Sequence, residues 1–319
     1  MKLKCAILDD YQNAALTMAD WSVINSKVDV EVFQEHFKSE DKLINVLDNY
    51  EIIVIMRERT AFSASVISRL PKLKLLITSG MRNASIDLAA ATAHGVTVCG
   101  TGSRSEPPLE LTWALILGLS RHIVKENQSI RENGPWQSTI GVDLFGKRLG
   151  IIGLGKIGSK TAQVGKAFGM DVVAWSQNLT EERTAEVGVT LASSLEELLT
   201  QSDFVSIHLV LSERTKHLIG ERELQHMKSQ AYLINTSRAA IIDQSALITA
   251  LENNWIAGAG LDVYEQEPLS DNHVFRKLDN VLALPHLGYV SENNYRIYFK
   301  EAVENIQAYL DGQPIRKIN

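Results

Sequence analysis

The stretch Gly153-Leu154-Gly155-Lys156-Ile157-Gly158 stands between an apolar run at 149–153 and a helix-like segment at 159–168. Three glycines at this spacing have separate roles: the first allows a tight turn, the second lets a pyrophosphate approach the backbone, and the third lets helix and strand pack closely. The N-terminus of the helix then presents N–H groups to phosphate. The loop therefore predicts dinucleotide binding, with candidate contacts at Gly153, Gly155, Lys156, Ile157 and Gly158.

A glycine string of this kind is weak evidence by itself, because ordinary turns and methyltransferases use similar loops. Here the preceding strand, the following helix and the next strand at 171–175 all fit a βαβ unit. The flanking elements therefore favour dinucleotide binding.

Strand-like and helix-like segments alternate along two parts of the chain, as they do in parallel sheets covered by helices. Strands are predicted at 4–9, 52–55, 75–78 and 96–99 in the first part, and at 149–153, 171–175, 204–208, 231–235, 259–263 and 281–284 in the second. The segment 107–119 is apolar almost all round, which indicates a buried helix.

The fold class expected from this order is α/β, with two Rossmann-like, doubly wound parallel-sheet domains. The last predicted helix, at about 292–310, lies beyond the second sheet and is expected to pack back on the first domain. We therefore predict a cofactor domain at 105–291, inserted into a smaller substrate domain made of 1–104 and 292–319.

Composition limits the classes of partner. The 319 residues are 45% hydrophobic and 22% charged, with a formal net charge of −6. This balance offers no basic field for nucleic acid or anionic lipid, so we expect a small-molecule partner. Met1 to Asp9 show no signal-peptide pattern and no run is long enough to span a bilayer, which predicts a cytoplasmic protein. Cys5 and Cys99 are expected to be buried free thiols, with no disulfide and no metal site.

Polar residues that follow the later strands fit the reduction of a 2-oxo acid, which needs a cation to hold the carboxylate and polarise the carbonyl, and an acid to protonate the oxygen. Arg238 follows one strand and His286 follows the last one, at the sheet edge where open α/β folds bind ligands. Glu267 could hold one imidazole nitrogen. Taken singly, Arg238 and Glu267 also fit solvated loop positions.

The ordered motifs GLGKIG, INTSRAAIIDQSALITAL, AGAGLDVYEQEP and PHLG resemble those of the D-isomer-specific 2-hydroxyacid dehydrogenase family over almost the whole chain. The resemblance implies that Arg238 binds the substrate carboxylate and carbonyl, that His286 donates or accepts the proton, and that Glu267 supports His286. It also implies a homodimer joined through the cofactor domains. Further cofactor contacts implied by motif position are Ser176, His208, Thr236, Asp262 and Gly288.

The loop at 79–87 is similar to the family's substrate loop, in which backbone N–H groups hold the carboxylate. Met81 and Arg82 occupy the matching positions, and many members have a glycine where Arg82 stands. The Arg82 side chain either adds a charge to the pocket or points to solvent. Arg57 and Arg59 follow a strand and could favour a second acidic group on the substrate.

The cofactor preference stays open at this stage. Family members specific for NAD usually carry an acidic residue just after the second strand of the cofactor domain, but this chain has Ser176-Gln177-Asn178 there. We therefore expect both NAD(H) and NADP(H) to be accepted. Arg183 could contact a 2′-phosphate, although its neighbours Glu181 and Glu182 favour a solvated salt bridge.

Three alternatives to reduction of a 2-oxo acid remain. Some relatives oxidise an unusual small acid such as formate or phosphite, and others act as cofactor-sensing regulators of transcription on the same fold. A sensing function is compatible with intact Arg238, Glu267 and His286. A measurement of turnover therefore decides between an enzyme and a cofactor-sensing regulator. A methyltransferase would leave Arg238 and His286 without roles.

Overall fold

Strands that are buried on both faces form two separate parallel sheets in the computed structural model, which describes residues 2–319. The strands Ile52–Ile55 and Leu75–Thr78 show why: every residue in them is buried, as expected when helices cover both faces of a sheet. The chain divides into two units, Met1–Arg104 with Ser291–Asn319, and Ser105–Val290.

The sheet of the first unit has five strands in the order β2-β1-β3-β4-β5. They are β1 (Leu3–Ile7), β2 (Val28–Val32), β3 (Ile52–Ile55), β4 (Leu75–Thr78) and β5 (Thr97–Gly100). This is the flavodoxin-like order, whose topological switch point lies between β1 and β3. Four of the strands match the sequence-based expectation. The fifth, β2, lies at an edge, and its alternating burial gives it a weaker apolar signal.

The helices of the first unit before residue 105 are short. They are α1 (Ala15–Met18), α2 (Glu40–Leu47), α3 (Ala64–Ser68) and α4 (Leu88–Ala93). Side chains that accept backbone N–H groups mark three of their starts: Ser39 caps α2, Ser63 caps α3 and Asp87 caps α4. A 3₁₀ turn also spans Trp21–Ile24.

The sheet of the second unit has seven strands in the order β12-β11-β10-β9-β6-β7-β8. They are β6 (Arg148–Ile152), β7 (Asp171–Trp175), β8 (Thr190–Leu191), β9 (Phe204–Ile207), β10 (Tyr232–Asn235), β11 (Gly258–Leu261) and β12 (Val281–Ala283). Counted from β6, this is the Rossmann order 3-2-1-4-5-6 with a seventh strand added, so the switch point lies between β6 and β9. Only β8, an edge strand of two residues, was not expected.

Helices cover this sheet. They are α5 (Glu106–Ser120), α6 (Ile123–Arg131), α7 (Lys156–Ala167), α8 (Glu181–Val187), α9 (Leu195–Gln201), α10 (Glu221–His226) and α11 (Gln244–Glu252). α5 is the helix expected to be buried, and it packs against α7, β10 and β11. Short 3₁₀ turns span Ala239–Ile241 and Val274–Arg276.

The last helix, α12 (Glu292–Leu310), belongs to the first unit, where it packs on α1 and β4. Its buried polar residues tie it to the chain segment after β5. The Asn305 side chain donates to the Gly100 carbonyl at 2.9 Å, and the Asn294 side chain accepts from the Arg104 N–H at 2.8 Å. These bonds join both ends of the chain in one unit. The two chain crossings into and out of the second unit follow from this arrangement.

Cys5 and Cys99 are buried free thiols on β1 and β5, which lie three strand spacings apart and so beyond the reach of a disulfide. Burial raises the pKa of Cys99 to about 11, which keeps that thiol protonated. Within residues 2–319 no helix is both long enough and apolar enough to cross a membrane. These residues also contain no cluster of three or more His, Cys, Asp or Glu side chains able to hold a metal ion.

Candidate active site

The glycine loop connects β6 to α7 at the switch point of the seven-stranded sheet. Gly153 has φ +101°, and a Cβ there would lie 2.7 Å from the His208 carbonyl oxygen. A Cβ at Gly158 would overlap the carbonyl oxygen of Gly153. The first and third glycines are therefore required by the packing of the loop and the helix, as the spacing predicts.

The middle glycine, Gly155, is different, because a Cβ there would meet no atom within 4 Å. Gly155 is exposed and directly precedes α7, whose first residue is Lys156. The helix begins three residues earlier than the sequence suggested, so its N-terminal N–H groups border this open side of the loop. The open space beside Gly155 and these N–H groups fit a pyrophosphate.

His208 follows β9 beside the glycine loop. Its backbone N–H donates to the Ile152 carbonyl at 2.8 Å, and its Nε2 lies 2.9 Å from the Ser206 hydroxyl. Desolvation lowers the pKa of His208 to about 4, so the ring is neutral at pH 7. This histidine can therefore offer a cofactor hydrogen bonds and packing, but no positive charge.

Arg238 lies at the end of a tight loop after β10, and the buried Asn235 shapes that loop. The Asn235 side chain donates to the Arg238 carbonyl at 3.0 Å and accepts from the Ser237 N–H at 3.0 Å. The Ser237 hydroxyl in turn bonds the Ile207 carbonyl of β9. The guanidinium of the half-buried Arg238 donates from Nη1 to the Ser237 carbonyl at 2.8 Å. Sequence reasoning missed Asn235, although its place at the strand end is a usable signal.

Thr236 belongs to the same loop and is linked to α5. Its hydroxyl lies 2.9 Å from that of Thr112, and Thr112 also donates to the Pro108 carbonyl at 2.8 Å. With its hydroxyl proton used in this way, Thr112 accepts from Thr236. The buried helix therefore fixes the orientation of a side chain that the motif comparison places along the cofactor.

Asp262 directly follows β11 and is fully buried. Its two carboxylate oxygens accept the N–H groups of Leu287 at 2.6 Å and Gly288 at 2.8 Å. Burial raises the pKa of Asp262 to about 6, and the two backbone N–H groups limit that rise. A Cβ at Gly288 would lie 3.0 Å from the Asp262 carboxylate, so a larger residue would crowd this close approach. Asp262 thereby holds the segment just after His286.

His286 and Glu267 form the shortest histidine–carboxylate pair in residues 2–319, with 2.6 Å between Nδ1 and Oε2. The other carboxylate oxygen of Glu267 accepts the Tyr264 N–H at 2.9 Å. His286 follows β12 with φ +53°, a left-handed conformation that is uncommon outside glycine. The sequence suggested this pairing, and the structure brings the two side chains together.

Two tyrosines that sequence reasoning did not assign to the site pack around this pair. The ring of Tyr289 meets the His286 ring edge to face, with centroids 5.2 Å apart. The Tyr264 hydroxyl lies within 3.1 Å of the carbonyl oxygens of Leu261 and Leu284, at the ends of β11 and β12. Both tyrosines are buried, so they restrict the positions of the loops that carry Glu267 and His286.

Arg238, Asp262, Glu267 and His286 share one edge of the sheet. They follow β10, β11 and β12, which are neighbouring parallel strands, so all four lie at the carboxyl edge. The glycine loop and His208 follow β6 and β9 at the same edge. This edge is where open α/β sheets bind ligands.

The predicted substrate residues lie in the first unit. Gly80, with φ +88°, leaves room for the Arg57 guanidinium, which donates to the Ser79 carbonyl at 3.4 Å. Arg57 itself has φ +53°. The structure therefore brings Arg57 against the loop that carries Met81 and Arg82, and both of these side chains are exposed. Nearby, Arg59 donates to the Asp9 carbonyl at 2.7 Å.

Comparison with known proteins identifies the family. Residues 113–288 match the profile described as D-isomer specific 2-hydroxyacid dehydrogenase, NAD binding domain. The chain belongs to this family. The dehydrogenase is 36% identical over 302 residues to a protein named glyoxylate reductase from Aeropyrum pernix, covering 91% of this chain and 89% of the relative.

Two further relatives carry other names. The dehydrogenase is 36% identical over 281 residues to a D-3-phosphoglycerate dehydrogenase from Synechocystis, covering 87% of this chain and 50% of that protein. A solved structure titled phosphoglycerate oxidoreductase from Vibrio cholerae superposes with a TM-score of 0.93 at 36% identity, covering 97% of this chain and 99% of that one. The predicted fold class and the predicted oxidoreductase class with an NAD(P) cofactor are confirmed.

Proposed function

We propose that this dehydrogenase reduces small 2-oxo acids to D-2-hydroxy acids, with Arg238, His286 and Glu267 as its catalytic residues. The observation that carries the proposal is the 2.6 Å contact between Nδ1 of His286 and Oε2 of Glu267 at the carboxyl edge of the sheet. A histidine held by a carboxylate in this way is the usual arrangement of a general acid.

His286 acts as the proton donor to the substrate oxygen. Because Nδ1 faces the Glu267 carboxylate, the proton at Nδ1 is held there and Nε2 is the nitrogen left to serve the substrate. In reduction Nε2–H gives its proton to the oxygen, and in oxidation Nε2 takes it back. The contact with the carboxylate also holds the imidazole ring in one orientation.

Arg238 supplies the positive charge. A guanidinium has five N–H donors in a planar fork, so it can bind a carboxylate and polarise the adjacent carbonyl oxygen. The loop fixed by Asn235 and Ser237 holds the Arg238 backbone at the sheet edge. Its charge matters most in the transition state, when negative charge grows on the carbonyl oxygen.

The cofactor is held, in this proposal, by the glycine loop with Lys156 and Ile157, and by a second group of residues on neighbouring strand ends. That group comprises Ser176, His208, Thr236, Asp262 and Gly288. A bound reduced nicotinamide supplies the hydride. The buried Asp262 accepts the backbone N–H groups of Leu287 and Gly288, so its part in this proposal is to position the 286–288 segment.

Substrate binding is assigned to Met81 and Arg82 through their backbone N–H groups, and to Arg57 through its side chain. The left-handed backbone of Arg57 and its contact with the 79–82 loop support this assignment, because strained residues concentrate at functional sites. A guanidinium there favours substrates that carry a second acidic group. This observation adds dicarboxylic or phosphorylated 2-oxo acids as a second candidate substrate class.

The experiment that tests the reaction is a panel of 2-oxo acids assayed with NADH and with NADPH by loss of absorbance at the nicotinamide band. The panel contains glyoxylate, pyruvate, a dicarboxylic 2-oxo acid and a phosphorylated one. We expect turnover with at least one of them and a D-configured product wherever the product is chiral. Cofactor binding without turnover across the panel contradicts the proposal and favours a cofactor-sensing regulator.

Glu267→Gln is expected to lower kcat for reduction by about 10-fold or more, the loss of one charge-assisted hydrogen bond, while the affinity for reduced cofactor stays close to that of the unmodified enzyme. The amide that replaces the carboxylate carries no negative charge at the 2.6 Å contact with Nδ1 of His286. Glu265→Gln, an exposed neighbour, serves as the control and is expected to keep the unmodified kcat. An unchanged kcat in Glu267→Gln removes Glu267 from the site.

The proposal also includes a cytoplasmic location, where the reducing conditions would keep the two thiols free.

A homodimer joined through the second unit is a further part of the proposal. None of the residues of α6 is buried, and several large apolar side chains in and after it are exposed. They are Ile123, Val124, Ile130, Trp136, Ile140 and Phe145. A groove of about 690 Å³ lies beside them, lined in part by Leu119, Leu278 and Leu282. In a twofold dimer the apolar side chains of each copy would fill the groove of the other, because both copies contribute the same surface.

Ile140→Asp is expected to shift the dehydrogenase from dimer to monomer in light scattering, because a carboxylate would be buried without a partner. Ile140 is 94% exposed in the single chain, so the change leaves the fold intact. Val210→Asp is the matched control, at a residue that is 76% exposed in the same unit. A dimer of unchanged mass in Ile140→Asp excludes this surface as the interface.

A further inference from the structure

Arg183 lies beside the first turn of the helix that follows the glycine loop. Its Nη2 donates to the Ser159 hydroxyl at 2.9 Å, and that hydroxyl donates to the Leu154 carbonyl within the loop at 3.1 Å. Ser159 is buried, so the contact fixes the guanidinium against α7. The Ser159 hydroxyl therefore links the guanidinium to the backbone of the glycine loop by two hydrogen bonds.

The position of Arg183 in the chain places it at the carboxyl end of β7. Residues 176–180 connect β7 to α8, and Arg183 is in the first turn of α8, where its N–H donates to the Thr180 hydroxyl at 3.3 Å. In a Rossmann fold this strand end, beside the glycine loop, is where the adenosine ribose of the cofactor is bound. A cation here therefore faces the group that distinguishes NADP(H) from NAD(H).

Arg183 forms the solvated salt bridge that the sequence favoured, but its partner is Glu186, at 2.9 Å from Nη1, and not the neighbouring Glu181 or Glu182. Successive residues point in different directions around a helix, and the Arg183 side chain reaches Ser159 of α7. Both members of the Arg183–Glu186 pair are largely solvent-exposed, and exposed pairs of this kind contribute little. A phosphate dianion can therefore replace Glu186 as the partner of the guanidinium.

The segment 176–178, directly after β7, carries no charge that would reject a phosphate. Ser176, Gln177 and Asn178 stand where NAD-specific members have an acidic side chain. The exposed Lys156 at the start of α7 adds a second positive charge next to the loop. Arg183 and Lys156 are therefore the cations that an additional phosphate could pair with, and Glu186 is the carboxylate that competes for Arg183.

We propose that Arg183 binds the 2′-phosphate of NADP(H) and gives the dehydrogenase its preference for that cofactor. The Ser159 hydroxyl positions the guanidinium, and the phosphate takes the place of Glu186 on Nη1. The proposal rests on the cofactor site and not on the identity of the 2-oxo acid. Both cofactors are accepted, and kcat/KM favours NADPH by a factor below about 100, the discrimination that one such contact supplies.

The test measures binding calorimetrically, without any 2-oxo acid, using two fragments: ADP-ribose and its 2′-phosphorylated form. Arg183→Ala is expected to weaken binding of the phosphorylated fragment by about 10-fold or more, the loss of a charge-assisted hydrogen bond. Binding of ADP-ribose is expected to change by less than about threefold, the range of a lost surface contact. Failure of the proposed reaction would leave these affinities unaffected, so the two outcomes are distinguishable.

Three further variants provide a control and two changes of charge beside the proposed phosphate site. Arg222→Ala removes an exposed ion pair with Glu196 in the same unit and is expected to leave both affinities unchanged. Glu186→Gln removes the competing carboxylate and is expected to tighten binding of the phosphorylated fragment. Ser176→Asp introduces the missing carboxylate and is expected to shift the preference to ADP-ribose. Equal losses for both fragments in Arg183→Ala, or no loss for either, overturn the proposal.

Discussion

His286→Ala is expected to lower kcat for reduction by about 10² to 10⁴ while leaving the affinity for reduced cofactor close to that of the unmodified enzyme. The expectation follows from the position of the side chain: Nδ1 is held by Glu267, and in the proposed mechanism Nε2 gives the proton to the substrate. Removing the imidazole removes the acid, but it leaves the glycine loop intact. We therefore expect the variant to lose kcat and to keep its affinity for the reduced cofactor.

The backbone at His286 has φ +53°, a conformation that alanine adopts less readily. His286→Asn is the second variant, because asparagine tolerates this conformation and cannot act as an acid at neutral pH. We expect the two variants to lose similar amounts of kcat. His94→Ala, at an exposed histidine of the first unit, is the control. Near-normal turnover in His286→Asn would show that another group donates the proton.

Arg238→Ala should lower kcat by about 10² to 10³ and raise the KM for the 2-oxo acid as well. In the proposed mechanism the guanidinium contacts the substrate carboxylate in the ground state and the developing negative charge on oxygen in the transition state. Both affinity and rate therefore depend on it, whereas His286 contributes mainly to rate. Steady-state kinetics with the preferred 2-oxo acid separate the two patterns.

Arg238→Lys keeps the charge but loses the planar pair of donors, so we expect it to recover only part of the activity. Arg214→Ala, at an exposed arginine of the same unit, is the matched control and should behave like the unmodified enzyme. A selective rise in KM with unchanged kcat in Arg238→Ala would limit the residue to ground-state binding. Unchanged kinetics would remove it from the site.

The local sequence was sufficient to predict most of the sheet architecture. Strands that are buried on both faces give continuous apolar runs, and the runs at Ile52–Ile55 and Leu75–Thr78 were placed to the residue. The two strands that were missed, β2 and β8, are edge strands, where half of the residues face solvent or the strand is only two residues long. Edge pairing depends on the neighbouring strand more than on local composition.

The sequence also determined which residues are candidates for chemistry, because glycine spacing and the order of the strand-end motifs are properties of the chain itself. The roles of Arg238, Glu267 and His286 stay predictions, yet their shared sheet edge follows from strand order alone. Only the tertiary structure decided which atoms meet. It paired Glu267 with Nδ1 of His286, set Asn235 under the Arg238 loop, and directed Arg183 to Ser159 instead of Glu181 or Glu182. The Glu267–His286 and Arg183–Ser159 contacts join residues 19 and 24 positions apart, and their geometry is fixed by the packing of whole strands and helices.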